Sequence, residues 1–383
     1  MKKLYLLFAF FILKYCYLLA QLPNQSLTEN LPQLDSTQKN NLYFSCFSKG
    51  YLRNNEYFSP VLLGETIFGY YLTPSLVYHL HQNFSIEIGA NIQKDFGNTE
   101  FTQVQPRFRM RYAKTSIKDS FDVILGNIHA NFAHQLIEPL YAFEQGYKRP
   151  FENGLQIKYK RKKWQTETWI DWQKQLAQNP PTQEVFWAGF KIDFNILERK
   201  NFTLALTNQN TFFHQGGQDI KATTLPPATT QLATTIGLKT SFHQKISAEI
   251  YGLYSQKEVF PDSTLISFTE TSGAGIYSNI KIKTKVGDFL VNYLYTNNFR
   301  PTNMGGALYG SISAAQTGSE RFFRFRELIF LRWCKDFKIT ENLTFSLRVE
   351  PYYDLRLKLF EYNYGFYMTF QPRFLIRKIK MVE

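Results

Sequence analysis

Three guanidinium groups alternate with three apolar side chains in the run Pro106-Arg107-Phe108-Arg109-Met110-Arg111-Tyr112. On a β-strand this spacing puts Arg107, Arg109 and Arg111 on one face and Phe108, Met110 and Tyr112 on the other. A guanidinium fork grips a carboxylate or phosphate through two hydrogen bonds, so a row of them is suited to holding or steering anions. The arrangement recurs at Phe323-Arg324-Phe325-Arg326, continues to Arg332, and returns more weakly around Arg348. Lys158 and Lys160 stand opposite Leu155, Ile157 and Tyr159, and Lys281 and Lys283 opposite Ile280 and Ile282. Strand carboxylates such as Glu87, Glu167, Glu350 and Asp354 are available to neutralise these cations. The sequence leaves both outcomes open, a net anion preference or a paired network.

A second group of chemically able residues lies in the stretch 128 to 153, which holds His134, Glu138, Glu144, Lys148 and Arg149 beside the apolar Leu136, Ile137, Leu140 and Tyr141. Its length and apolar content predict a loop that folds inward and forms a constriction. His129, His134, Glu138 and Glu144 could act as acid and base, and His79 and His81 share one strand face where a third ligand would complete a metal site. Their spacing selects no reaction. GxSxG, HExxH, Walker and dinucleotide-binding motifs are missing from the sequence. The expectation is therefore a protein that is not an enzyme, with no metal and no cofactor. A lipid-modifying enzyme would need a histidine and a nucleophile together at an outer rim.

The elements that position these residues are read from period-two alternation. Phe84, Ile86, Ile88, Ala90 and Ile92 share one face opposite Ser85, Glu87, Asn91, Gln93 and Asp95. Phe360, Tyr362, Tyr364, Phe366, Met368 and Phe370 do the same near the end of the chain, with Tyr367 the one aromatic residue on the polar face. Sixteen such segments are predicted, centred near 46, 72, 89, 107, 124, 157, 169, 190, 207, 237, 251, 278, 292, 329, 348 and 367. Short connections largely alternate with long ones, as periplasmic turns and extracellular loops do in an up-and-down barrel. The predicted fold is all-β: a transmembrane up-and-down antiparallel β-barrel of about 16 strands. A charge at the lipid midplane costs roughly 2 to 4 kcal/mol, so the arginine and lysine rows are expected to line the lumen.

The start of the chain supports export. Lys2 and Lys3 precede an apolar run from Leu4 to Leu13, and Ala20 precedes a plausible cut at Gln21, the pattern of a cleaved signal peptide. Three of the +13 formal charges, Lys2, Lys3 and Lys14, belong to that segment. The domain plan is a signal peptide at 1–20, a flexible periplasmic leader at 21–41, the barrel at 42–379 and a short tail at 380–383. Cys46 and Cys334 form no redox or metal spacing. Aromatic residues make up 17% of a chain rich in polar residues, which suits girdles at two membrane interfaces.

On its Tyr- and Phe-rich strands, its signal peptide and the segment His134-Gln135-Leu136-Ile137-Glu138-Pro139-Leu140-Tyr141, the chain resembles porin-like outer-membrane barrels of the Bacteroidetes. The basic tail after Phe374 departs from barrels that finish on an aromatic residue. The reading that follows is an outer-membrane porin passing small hydrophilic solutes, with passage biased toward anions. The expected surroundings are outer-membrane lipid, lipopolysaccharide and small hydrophilic or anionic solutes, with no nucleic acid, and assembly into a homo-oligomer is left open. The rival reading is a non-conducting barrel that docks surface partners through its loops.

Overall fold

The computed structural model describes residues 25–178, 181–217, 225–260, 269–314 and 320–379. The expected signal peptide and the tail at 380–383 lie outside the described residues. Sixteen antiparallel strands form one closed sheet. They are β1 (Asn41–Glu56), β2 (Glu65–His81), β3 (Phe84–Asp95), β4 (Gln103–Thr115), β5 (Asp119–Asn127), β6 (Asn153–Arg161), β7 (Trp164–Lys174) and β8 (Glu184–Arg199). The second half continues with β9 (Phe202–Gly216), β10 (Ala228–Phe242), β11 (Ile246–Phe260), β12 (Thr269–Thr284), β13 (Gly287–Asn297), β14 (Phe325–Lys338) and β15 (Leu343–Asp354). The last strand, β16 (Leu359–Phe370), resumes after Gln371-Pro372 as Arg373–Lys378. Each strand pairs with its chain neighbour, and both pieces of β16 pair with β1 to close the barrel. All sixteen predicted centres fall inside these strands.

Alternation decides which way each residue faces. Ile88, Phe108 and Met368 are exposed on the outer wall, at 53%, 44% and 54%, whereas Glu87, Arg107 and Tyr367 on the opposite parity are at most 6% exposed. The outward band of rings and aliphatic side chains is what hydrocarbon requires, and closure satisfies the backbone groups that an open edge would leave unpaired. No helix among the described residues is long and apolar enough to cross a membrane. Both ends of the wall, Asn40 and Ile379, meet on the side of the short turns, which is the periplasmic side of an outer-membrane barrel.

Two local devices position the interior. Gly126, the penultimate residue of β5, has φ +101, and a Cβ there would lie 2.2 Å from the Phe108 carbonyl oxygen. Only glycine lets the chain leave β5 and turn into the lumen. The incoming stretch then forms a short 3-10 turn (Asn131–His134) and one α-helical turn, α1 (Gln145–Lys148). A second segment, between β13 and β14, turns inward beside it. The two are joined by Ala142 N–H donating to the Met304 carbonyl (2.8 Å) and Gly306 N–H donating to the Glu138 carbonyl (3.1 Å).

Candidate functional site

The loop after β5 folds into the lumen, where its apolar residues pack against the wall. Ile137, Leu140, Tyr141, Trp187, Leu294, Phe299, Met304 and Leu328 belong to one buried cluster that fills the extracellular half of the barrel. Phe143 and Tyr147 form a second cluster with Tyr51, Tyr71 and Tyr367. Tyr367, the one aromatic residue on the polar parity of β16, stacks on Tyr147 at 5.5 Å with the rings nearly parallel. Its ring faces the plug, which is why the alternation fails there.

Electrostatic pairing fixes this plug to the wall. Glu138 on the loop accepts from Arg332 on β14 at 2.5 Å and from Arg348 on β15 at 2.8 Å, and Tyr309 donates to the same carboxylate. Glu350 also pairs with Arg332 (3.2 Å), with Arg348 and with Arg53 (3.1 Å), and Arg53 reaches Glu144 at 2.8 Å. His134 sits between Glu152 (3.0 Å) and Glu167 (2.6 Å) and lies flat on Trp169 at 4.0 Å. Burial disfavours the imidazolium, but the two carboxylates outweigh it and raise His134 to about 9. His129, half-buried beside Lys158, is lowered to about 3, chiefly by desolvation.

Other basic residues of the wall also meet carboxylates. Arg107 and Arg109 share Glu87, Arg111 forks onto Asp122 at 2.7 Å, and Arg326 holds Asp354 at 2.7 Å. Lys158 approaches Glu167 (3.7 Å), Lys281 pairs with Asp288 (3.1 Å), Lys160 is half-buried near the periplasmic side and Lys283 is exposed there. Arg107, Lys281 and Arg326 thus face carboxylates inside the lumen. Three expected site residues lie elsewhere. Arg324 precedes β14, is exposed at the rim and donates to Asn297 (3.1 Å). Lys148 and Arg149 end α1 at the exposed extracellular rim, where Lys148 meets Glu65 at 2.5 Å. Arg53, Glu29 and Glu152 complete the network and were not singled out by sequence: the partners of Arg53 and Glu29 are 78 to 297 positions away, and Glu152 meets His134 only after the loop has folded inward.

Below the plug the lumen opens as a chamber of about 810 Å³, lined by Glu29, Arg109, Arg111, His129, Lys158 and Arg373 among others. Residues 25–39, read from composition as flexible, are docked at its mouth. Their polar groups are met by wall side chains, with Glu29 held by Arg107 (2.6 Å) and Arg109 (2.8 Å).

A different constellation faces the membrane at the extracellular rim. His214, near the end of β9, lies on the outward parity beside Phe186, with ring centroids 5.2 Å apart, and its Nε2 is 3.5 Å from Glu184. Gly216 leaves the space that Nε2 occupies, since a Cβ there would be 3.1 Å from it. His214 is the register partner of Thr230 on β10, and Thr230 is the partner of Glu258 on β11. The Thr230 hydroxyl donates to Glu258 at 3.1 Å, and Gln256 donates to the other carboxylate oxygen at 2.9 Å. A histidine with a carboxylate behind it and a hydroxyl beside it can carry protons to and from an ester. His129 and His134, the loop histidines considered for such work, are inside the lumen and away from lipid. Among the described residues no cluster of metal-ligating side chains is assembled.

The family model described as lipid A 3'-O-deacylase-type matches residues 34–379. The chain belongs to that family. Membership overturns the expectation that the protein is not an enzyme. Contiguous signatures do not mark such a site, because a barrel rim assembles its groups from different strands. No curated protein matches this deacylase-type chain. Among solved structures it is similar to a loop-deletion mutant of OmpT, an outer membrane protein of Vibrio cholerae, with 10% identity, a TM-score of 0.49 and coverage of 86% of this chain and 99% of that one. It is also similar to OprD of Pseudomonas aeruginosa, with 9% identity, a TM-score of 0.48 and coverage of 89% and 96%. OccAB3 of Acinetobacter baumannii aligns at 8% identity and a TM-score of 0.46, covering 87% and 99%. The deacylase-type chain is a closed antiparallel β-barrel.

Proposed function

We propose that this barrel hydrolyses an acyl ester of an outer-leaflet glycolipid at its extracellular rim. The carrying observation is the Glu184–His214 pair, placed on the lipid-facing side of the wall at the end where strands leave the hydrocarbon. An amphiphilic substrate would present its acyl chain to the outer rings, such as Trp172 and Phe186, which stack at 5.2 Å, and its ester to His214. His214 would take a proton from a water attacking the carbonyl and return it to the leaving alkoxide. Glu184 would stabilise the imidazolium between these transfers, and Thr230 would hydrogen-bond the substrate. General acid–base assistance of this kind contributes about 10²- to 10⁴-fold.

The test is release of free fatty acid from acylated lipid A in mixed micelles, measured by mass spectrometry. Wild type should release it, and His214→Asn and Glu184→Gln should each slow release about 100-fold or more while leaving the barrel folded. Release at the wild-type rate by H214N would refute the assignment of the site, and no release by wild type from any acylated lipid A would refute the activity.

Conduction of small solutes is the second reading, favoured by the charged periplasmic chamber. It requires the plug to move, because the chamber ends against packed side chains. The paired carboxylates argue against a strong anion bias. Stepwise current in a planar bilayer under a salt gradient, with its reversal potential, separates a conducting barrel from a closed one.

A further inference from the structure

The docked stretch 26–34 is not a strand of the wall, and the wall meets it as a binding site meets a ligand. Four wall or loop side chains bond its main chain. Lys49 donates to the Leu27 carbonyl at 3.1 Å, His129 Nε2 lies 2.8 Å from the Glu29 carbonyl oxygen, and Arg111 donates to the Pro32 carbonyl at 2.6 Å. Gln371 bonds both the N–H and the carbonyl of Asn30, each at 2.8 Å. Main-chain contacts of this type hold an extended peptide whatever its sequence, and side-chain pockets then select among peptides.

Two such pockets are present. Leu27 enters a buried cluster with Phe47, Tyr51 and Tyr71. Glu29 enters a cationic pocket between Arg107 and Arg109, whose other faces are held by Glu87, so the pocket fits one further carboxylate. Burial opposes its ionisation, yet the two guanidinium groups hold Glu29 well below the usual carboxylate range. Covalently the segment joins the wall only through Asn40, and the charged chamber lies directly above it.

We propose that the periplasmic mouth is a binding site for an extended acidic peptide carrying a leucine two residues before a glutamate. The chain's own residues 26–34 fill it in cis, and a free peptide of the same pattern displaces them. The inference is independent of the chemistry at the outer rim.

The experiment uses the full chain with Ser26→Cys as reporter and Cys16→Ser, Cys46→Ser and Cys334→Ser as background, labelled by a membrane-impermeant maleimide. Adding Glu29→Gln should accelerate labelling about tenfold or more, since it removes a charge-assisted contact to two arginines. A synthetic peptide covering residues 24–36 should accelerate labelling of the Glu29-containing protein in a saturable way. Millimolar concentrations are required, because it competes with a tethered segment. The same peptide with glutamine at the Glu29 position should need about tenfold more. Heat-modifiable migration on gels confirms that each protein is folded, and the peptide arm requires no change at Glu29. Unchanged labelling in folded E29Q, or no effect of the peptide at millimolar concentration, would overturn the proposal.

Discussion

Replacing Glu138 by alanine should turn a closed barrel into one that opens. The Glu138 carboxylate receives Arg332 and Arg348 and the Tyr309 hydroxyl, and it is the point at which the loop after β5, the segment before β14 and the wall strands β14 and β15 are tied together. Removing it leaves Arg53, Arg332 and Arg348 with Glu350 and Glu144 alone, in surroundings where all three guanidinium groups are buried. Breaking a buried pair by deleting one partner costs about 3 to 5 kcal/mol. If that cost falls on the plugged state and is relieved when the segments swing out and the arginines meet water, the ratio of open to closed shifts by about 10²-fold to 4 × 10³-fold at about 1.4 kcal/mol per decade. Single-channel recording reads this directly. Wild type should show long silent periods, E138A should show openings whose summed duration is about a hundredfold greater, and Glu100→Gln, at an exposed loop position, should behave as wild type. A folded, inserted E138A as silent as wild type would refute the tether, and steady current through wild type would refute the plug itself.

Other expectations follow from the same interior and rim. His134 is raised to about 9 from 6.5, so its charge stabilises the plug fully below pH 6.5, and that contribution is lost as pH rises through 9. Tryptophan fluorescence, reporting on Trp169 against the imidazole, should change as pH rises through about 9, and His134→Gln should flatten the curve. Gly126→Ala, which adds a Cβ against the Phe108 carbonyl at positive φ, should destabilise the folded barrel by about 1 to 3 kcal/mol, seen as a smaller heat-modifiable fraction. At the rim, loss of fatty-acid release in H214N and E184Q tests the catalytic pair, and accelerated labelling in E29Q tests the docked segment.

The wall was legible because lipid on one side and a polar lumen on the other impose a strict period of two, and each strand carries that signal within its own dozen residues. Arg107, Arg109, Arg111, Arg326, Arg332 and Arg348 were placed on the inner face by this rule alone. What they bond to was not legible, since Arg332 finds its partner 194 residues earlier and Arg107 finds one 78 residues earlier. The leader looked disordered for the same reason: a short polar stretch has no core of its own, and only the wall shows that Leu27 and Glu29 have pockets. His214 went unnoticed because it ends a strand of otherwise ordinary alternation. Its carboxylate belongs to another strand, so the pair exists only after β8 and β9 align.

The seam between the first and last strands decides when the molecule becomes a vessel. Ser48 pairs with Phe370 and Phe44 with Phe374, contacts that span more than three hundred residues; the ladder is interrupted at Gln371-Pro372, where proline offers no N–H, and it shifts register between Leu42 and Tyr43. Until the final residues arrive the sheet is an unclosed ribbon with two raw borders and no inside. Contacts this distant in sequence make closure intrinsically slow and the waiting form prone to pairing with the wrong chain. The N-terminal segment is at hand throughout that wait, tethered beside the first border, so it can be laid against the arginines before the last border arrives and be enclosed as the ribbon shuts.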